Sequence, residues 1–143
     1  MAGSFISVDV VGQKQIGQAL NRLLKQGSDL EPALRDIGEY LLESTQQRFI
    51  DQQAPNGEPW DPLSPKTLAK KKRQDRVLTE TGTLVDTLHY QLGVNQLTLG
   101  SNMEYAATHQ FGRESDGIPA RPFLGIAVFE RVEILAILRD HLN

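Results

Sequence analysis

Histidines, carboxylates and hydroxyls are the groups with which this chain could do chemistry, and their spacing assembles no catalytic set. His89, His109 and His141 share no ligand spacing, and no second residue completes a metal-binding motif around any of them. Glu39 and Glu43 stand one helical turn apart, which reads as a solvated helix face rather than an acid/base pair. The chain has no Gly-rich phosphate loop and no nucleophile-elbow serine. It also has no cysteine, which removes disulfides, thiolate metal sites and thiol nucleophiles and fits a reducing compartment. The expectation is a protein that is not an enzyme and takes no cofactor, metal or small-molecule ligand.

Residues suited to recognition are easier to find. Lys66, Lys70, Lys71, Lys72, Arg73 and Arg76, broken only by Asp75, form the sharpest charge feature. Such a run is a solvated segment, a contact with DNA phosphates or a contact with an acidic neighbouring subunit. It contains no aromatic residue on which bases could stack, which argues against single-strand binding. Trp60, the sole tryptophan, either pins its proline-rich loop to the core or anchors a neighbouring subunit. His109 reads as a locally satisfied histidine one turn after Tyr105, or as a donor to a neighbour's backbone. Arg121 lies between Pro119 and Pro122 in a stiff extended stretch, a preorganised arginine suited to a bidentate carboxylate contact. Phe123 and Leu124 beside it would seat that stretch against an apolar groove.

The elements that must position these residues follow from periodicity. Ile6, Val8 and Val10 alternate with polar residues, the pattern of a half-buried strand. Ile16, Leu20, Leu23 and Leu24 are helical in spacing, with Gly27 placed as a C-terminal cap. Ser28 to Glu31 read as a capping box for a second helix of about six turns, whose stripe is Leu30, Leu34, Ile37, Leu41 and Phe49. Four prolines and Gly57 between residues 54 and 65 exclude regular structure and predict an ordered extended loop anchored by Trp60. A short basic helix or turn is expected through Arg73, and another from Gly82 to Leu88. Tyr90 to Leu99 read as a hairpin, with Asn95-Gln96 as the turn unless a longer loop replaces it. Ser101 to Glu104 offer a capping box for a short helix ended by Gly112. Residues 118 to 124 are extended because their prolines bias the preceding residues away from helix. Val128, Phe129, Val132, Leu135 and Leu138 predict an amphipathic C-terminal helix, with Arg139 and His141 at its negative end.

The predicted class is α+β: a small antiparallel or mixed sheet against a long helix and a C-terminal helix, with proline-rich extended loops. At 143 residues the chain reads as one domain, residues 1–143, large enough for a real core. Its net charge of −3 argues against a generic nucleic-acid binder, which usually carries a basic excess. No apolar run approaches the ~20 residues that span a bilayer, and Ser7 and Asp9 interrupt what would be the core of a signal peptide. A soluble, cytoplasmic protein is expected.

Four segments carry a more specific signal. They are Pro55-Asn-Gly-Glu-Pro-Trp-Asp-Pro-Leu-Ser64, Leu78-Thr-Glu-Thr-Gly-Thr-Leu84, Tyr105-Ala-Ala-Thr-His-Gln-Phe-Gly112 and Ile118-Pro-Ala-Arg-Pro-Phe-Leu-Gly125. In this order, with Thr67 and Lys71 in place after the first, they resemble the motifs of the phage virion morphogenesis family, the Mu-like tail-completion proteins. Thr87-Leu88 stands where that family often has Ser-Leu, a conservative departure. The resemblance covers residues 55 to 125 and brings no active site. It implies a structural bacteriophage assembly protein, made in the host cytoplasm and carried in the virion neck or tail. Its partners would be copies of itself in a ring and other neck, tail or portal proteins, with no membrane. The alternative is a sequence-independent DNA-binding accessory protein using segment 66–76, which in the assembled particle would meet packaged DNA.

Overall fold

The computed structural model describes residues 3–12, 14–60, 84–103, 106–112, 115 and 119–142. Strand β1 (Ser4–Asp9) alternates as its sequence requires, with Ser4 and Val8 buried and Phe5 and Ser7 exposed. Helix α1 (Lys14–Lys25) buries Ile16, Leu20 and Leu23 and packs against β1. It ends in a Schellman motif: Gly27 N–H donates to Leu24 O and Ser28 N–H to Leu23 O. Gly27 sits at φ +77, where a side chain would be strained.

Helix α2 (Glu31–Asp51) is the backbone of the core. Leu34, Ile37 and Leu41 repeat at helical spacing and are fully buried, each contributing about 1.5–3 kcal/mol. Its N-terminus is not closed by the expected Ser28 box. Ser28 is engaged in ending α1, and the Glu31 N–H donates to Asp29 Oδ1 at 3.0 Å instead. Glu31 pairs with Arg35 rather than reaching back. At the other end Gln52 takes a left-handed conformation (φ 55). The chain then turns tightly, pairing Gln53 with Pro59 and returning Trp60 N–H to Gln52 O at 2.8 Å. This turn is the described part of the expected proline loop.

Residues 84–87 are helical, bury Leu84 and lead into β2 (His89–Gly93). Strand β3 (Gln96–Ser101) lies in the middle of an antiparallel sheet of order β1-β3-β2. Ser4 pairs with Ser101 on one side and His89 with Gly100 on the other. The hairpin turn is Val94-Asn95, one residue earlier than the sequence suggested, because Asn95 takes the positive φ (54) that Gln96 would tolerate poorly. The sheet lies against α2, where Gly38 lets the Tyr90 ring approach: a Cβ at Gly38 would sit 2.6 Å from it.

Helix α3 (Ala106–Phe111) ends at Gly112, whose N–H donates to Thr108 O. Ser101 does not cap it; its hydroxyl accepts from Met103 N–H and meets Thr87 Oγ1. Helix α4 (Val128–Asp140) packs on α1 and α2, with Leu135 and Leu138 of the expected stripe turned to the core but Val128, Phe129 and Val132 turned away from it. Glu130, Ile134 and Leu138 face inward, while Val128, Phe129 and Val132 are 70%, 63% and 63% exposed. Glu130 sets this phase because its carboxylate has a buried partner on α2. The α+β class and the helix-on-small-sheet arrangement are as predicted. Among the described residues no helix is long and apolar enough to cross a membrane.

Candidate functional site

Residues 119–124, between α3 and α4, lie outside any helix or strand, so their backbone polar groups need partners elsewhere. Pro119 and Pro122 remove two of the donors. From Arg121 to Leu124 the remaining groups are met by side chains and backbone from three other places. Arg121 N–H donates to His109 O at 2.7 Å, and His109 Nδ1 donates back to Arg121 O at 2.7 Å. Trp60 Nε1 donates to Pro122 O at 2.6 Å, and Arg48 Nη1 to Phe123 O at 2.8 Å. Gln110 Oε1 accepts from both Phe123 N–H and Leu124 N–H, at 2.9 and 2.8 Å, while its Nε2 donates to Leu124 O at 3.0 Å. Every backbone donor and acceptor from Arg121 to Leu124 is therefore held. The result is a clamp that fixes one irregular segment against α2, α3 and the proline loop.

An aromatic cluster fills the space inside the clamp. Phe49 stands 5.2 Å from Trp60 and 5.3 Å from Phe123, and His109 lies 4.8 Å from Trp60 with its ring near perpendicular. Edge-on contacts of this kind add about 0.5–1.5 kcal/mol each beyond area burial. With its Nδ1 proton given to a carbonyl, His109 leaves Nε2 unprotonated, buried and without a hydrogen-bond partner. Burial lowers its pKa to about 4, the Arg121 charge adding to the effect and the bond to Arg121 O opposing it. His109 is neutral at neutral pH and serves as a fixed donor.

Beneath the cluster, the buried Arg48 guanidinium pairs with the fully buried Glu130 carboxylate, tying α2 to the first turn of α4. Glu130 Oε1 also accepts from Ala127 N–H at 2.7 Å, and Ser44 Oγ donates to Oε2. Burial pulls the Arg48 pKa below its ordinary value, with Glu130 opposing the shift. Gly125 carries the chain out of the clamp at φ +152, and a Cβ there would come 2.8 Å from the Pro55 ring. Outside the pair lies an open groove of about 460 Å³, bounded by α2, the turn at 54–57 and Phe129 of α4.

The structure brings Trp60, His109, Phe123 and the Arg121 backbone into one site. Trp60 pins its loop to this chain's own core, and His109 donates to this chain's own backbone. The Arg121 side chain is partly exposed. Lys66, Lys70, Lys71, Lys72, Arg73 and Arg76 lie outside the described residues. His89 and His141 are elsewhere, the first beside Thr87 O and Phe5, the second against Asp36 at 2.9 Å. Among the described residues no group of His, Asp or Glu could hold a metal ion. Sequence reasoning missed Arg48, Gln110 and Glu130. Arg48 continues the Leu34, Ile37, Leu41, Thr45 face, so its register alone marked it as interior. Gln110 adjoins His109 inside the same motif.

A clamped, irregular segment held by a histidine and a glutamine from one motif and a tryptophan from another defines a structural module whose motifs serve to lock a loop. The phage virion morphogenesis family model matches residues 11–143, and the chain belongs to that family. It is 29% identical to Mu-like prophage FluMu G protein 2 of Haemophilus influenzae, covering 95% of both chains. It is 34% identical to the putative capsid assembly protein G of Escherichia phage Mu, over 72% of this chain and 73% of that one. It is 29% identical to tail completion protein S of Escherichia phage P2, over 76% and 81%. No solved structure matches.

Proposed function

We propose that this protein is a structural component of bacteriophage assembly that completes the tail or joins it to the head, acting as a ring of identical subunits in the virion neck. The observation that carries this reading is the family match over nearly the whole chain, with a tail completion protein among the relatives. The clamp supports it physically, since a rigid loop set by side-chain hydrogen bonds presents a fixed surface without any cofactor. Trp60, His109 and Phe123 act on the interface by fixing the segment that carries Arg121. The role requires no catalysis, and the protein works in the host cytoplasm before entering the particle. Deleting the gene from its phage should leave filled heads and separate tails that fail to join, visible by electron microscopy. Normal joined particles in the deletion sink the proposal.

The cationic run 66–76 favours a second reading, sequence-independent DNA binding. Retention of the purified chain on DNA at low salt, lost steeply as salt rises, supports it; no retention at low salt removes it.

A further inference from the structure

We propose that the groove between α2, the 54–57 turn and α4 receives the cationic stretch 66–76 of a second copy of this chain, an inference that rests on the ring reading. A closed ring of identical subunits needs two different surfaces that fit one another, because the contact runs head to tail. The groove supplies one of them. Glu43, Gln47 and Asp51 line its α2 wall at successive helical turns, and both carboxylates are exposed. On α4, one turn beyond Phe129, Glu133 is exposed. The cation lining the groove, Arg48, is neutralised by Glu130 within the protein.

The rim of the groove is apolar and open. Phe129 lines it, and Val128 and Val132 lie beside Phe129 on α4, all three largely exposed. Exposed apolar side chains gathered beside a cleft mark a binding surface. The complementary surface is written in the sequence: six Lys or Arg residues against one Asp between 66 and 76, with Leu68 and Ala69 among them. Such a segment matches the groove in charge and in its apolar content. Lysine and arginine stems cover apolar surface while their heads reach carboxylates, and Tyr40 and Phe129 place aromatic residues in the lining. A nucleic acid, being anionic, is repelled by the same walls.

The test uses three full-length variants and light scattering across a range of concentration and salt. One reverses the groove (Glu43→Lys with Asp51→Lys), and one reverses the segment (Lys70→Glu, Lys71→Glu and Lys72→Glu). The third, Phe129→Ser, removes the apolar rim without changing charge. Melting curves check that each folds. The wild type should form a discrete oligomer that weakens with salt. Each charge reversal alone should weaken association at least tenfold, and Phe129→Ser should weaken it while keeping the salt dependence. Mixing the two charge-reversed chains in equal amounts should restore the oligomer, since each groove then meets a segment of opposite sign on another chain. Failure of the mixture with rescue by combining both reversals in one chain shows that the segment occupies its own groove, and overturns the proposal. A groove reversal that leaves wild-type association intact also overturns it, whatever the segment reversal does. A folded wild type that stays monomeric overturns the ring reading itself.

Discussion

His109 keeps its proton on Nδ1 because Arg121 O accepts it there, and its other nitrogen faces a buried space with no partner. The folded chain therefore resists protonating this ring down to pH about 4, while the unfolded chain takes a proton near pH 6.5. Between those values the unfolded state binds more protons, so stability rises with pH. The contribution of His109 is complete above pH 6.5 and is lost as pH falls towards 4, up to roughly 3 kcal/mol. Asn at this position can keep an N–H on Arg121 O without titrating in this range. Urea denaturation at pH 7 and pH 4.5 should show a smaller loss for His109→Asn than for wild type; equal losses mean His109 titrates normally. Gln110→Leu should cost about 2–4 kcal/mol, because two N–H groups and one carbonyl of the clamp lose their partner at once. A change below about 0.5 kcal/mol in the same denaturation would show that water replaces the glutamine at no cost. At this scale the sequence told part of the story. It singled out Trp60, His109, Arg121 and Phe123, but not that the first two serve the backbone of the segment that carries the other two, since hydrogen bonds to an irregular stretch leave no periodicity.

Among the elements, α2 was legible almost to its ends because its apolar stripe and its packing agree. The phase of α4 was legible at Leu135 and Leu138 but not in its first turns. Val128, Phe129 and Val132 look like an interior face by hydropathy, and Glu130 looks like an exterior residue. The buried Arg48–Glu130 pair reverses both readings, a tertiary partner 82 residues away in sequence. Removing one member should destabilise strongly: Glu130→Gln or Arg48→Met is expected to cost about 3–5 kcal/mol. The double change Arg48→Met with Glu130→Met should recover much of that loss, because no uncompensated charge remains buried. Additive losses in the double variant, measured by thermal or urea unfolding, would contradict this. The two caps fail to follow sequence for a simpler reason. Ser28 and Ser101 each had a competing task, closing α1 and bonding at the end of β3. Gly38 is the opposite case, a helix glycine whose reason appears only when Tyr90 is seen against it. Gly38→Ala gains about 1 kcal/mol in helix propensity, yet should be net destabilising by about 1–3 kcal/mol through overpacking. A raised melting temperature would show that the ring moves aside freely.

For the whole molecule, the α+β class and the family were both readable in advance, the class from periodicity and the family from four ordered motifs. The motifs were readable as a set because they converge physically: the described parts of the Trp60, His109 and Arg121 segments meet in one clamp. Assembly depends on surfaces, and surfaces emerge only after packing decides which apolar residues stay outside. The exposed rim of α4 is the clearest instance. Ring closure by the purified wild-type chain is the central claim and the one most open to direct test. Negative-stain electron microscopy at low to moderate salt should show closed rings of one size. Monomers alone, at every concentration and salt at which the chain is folded, would contradict it.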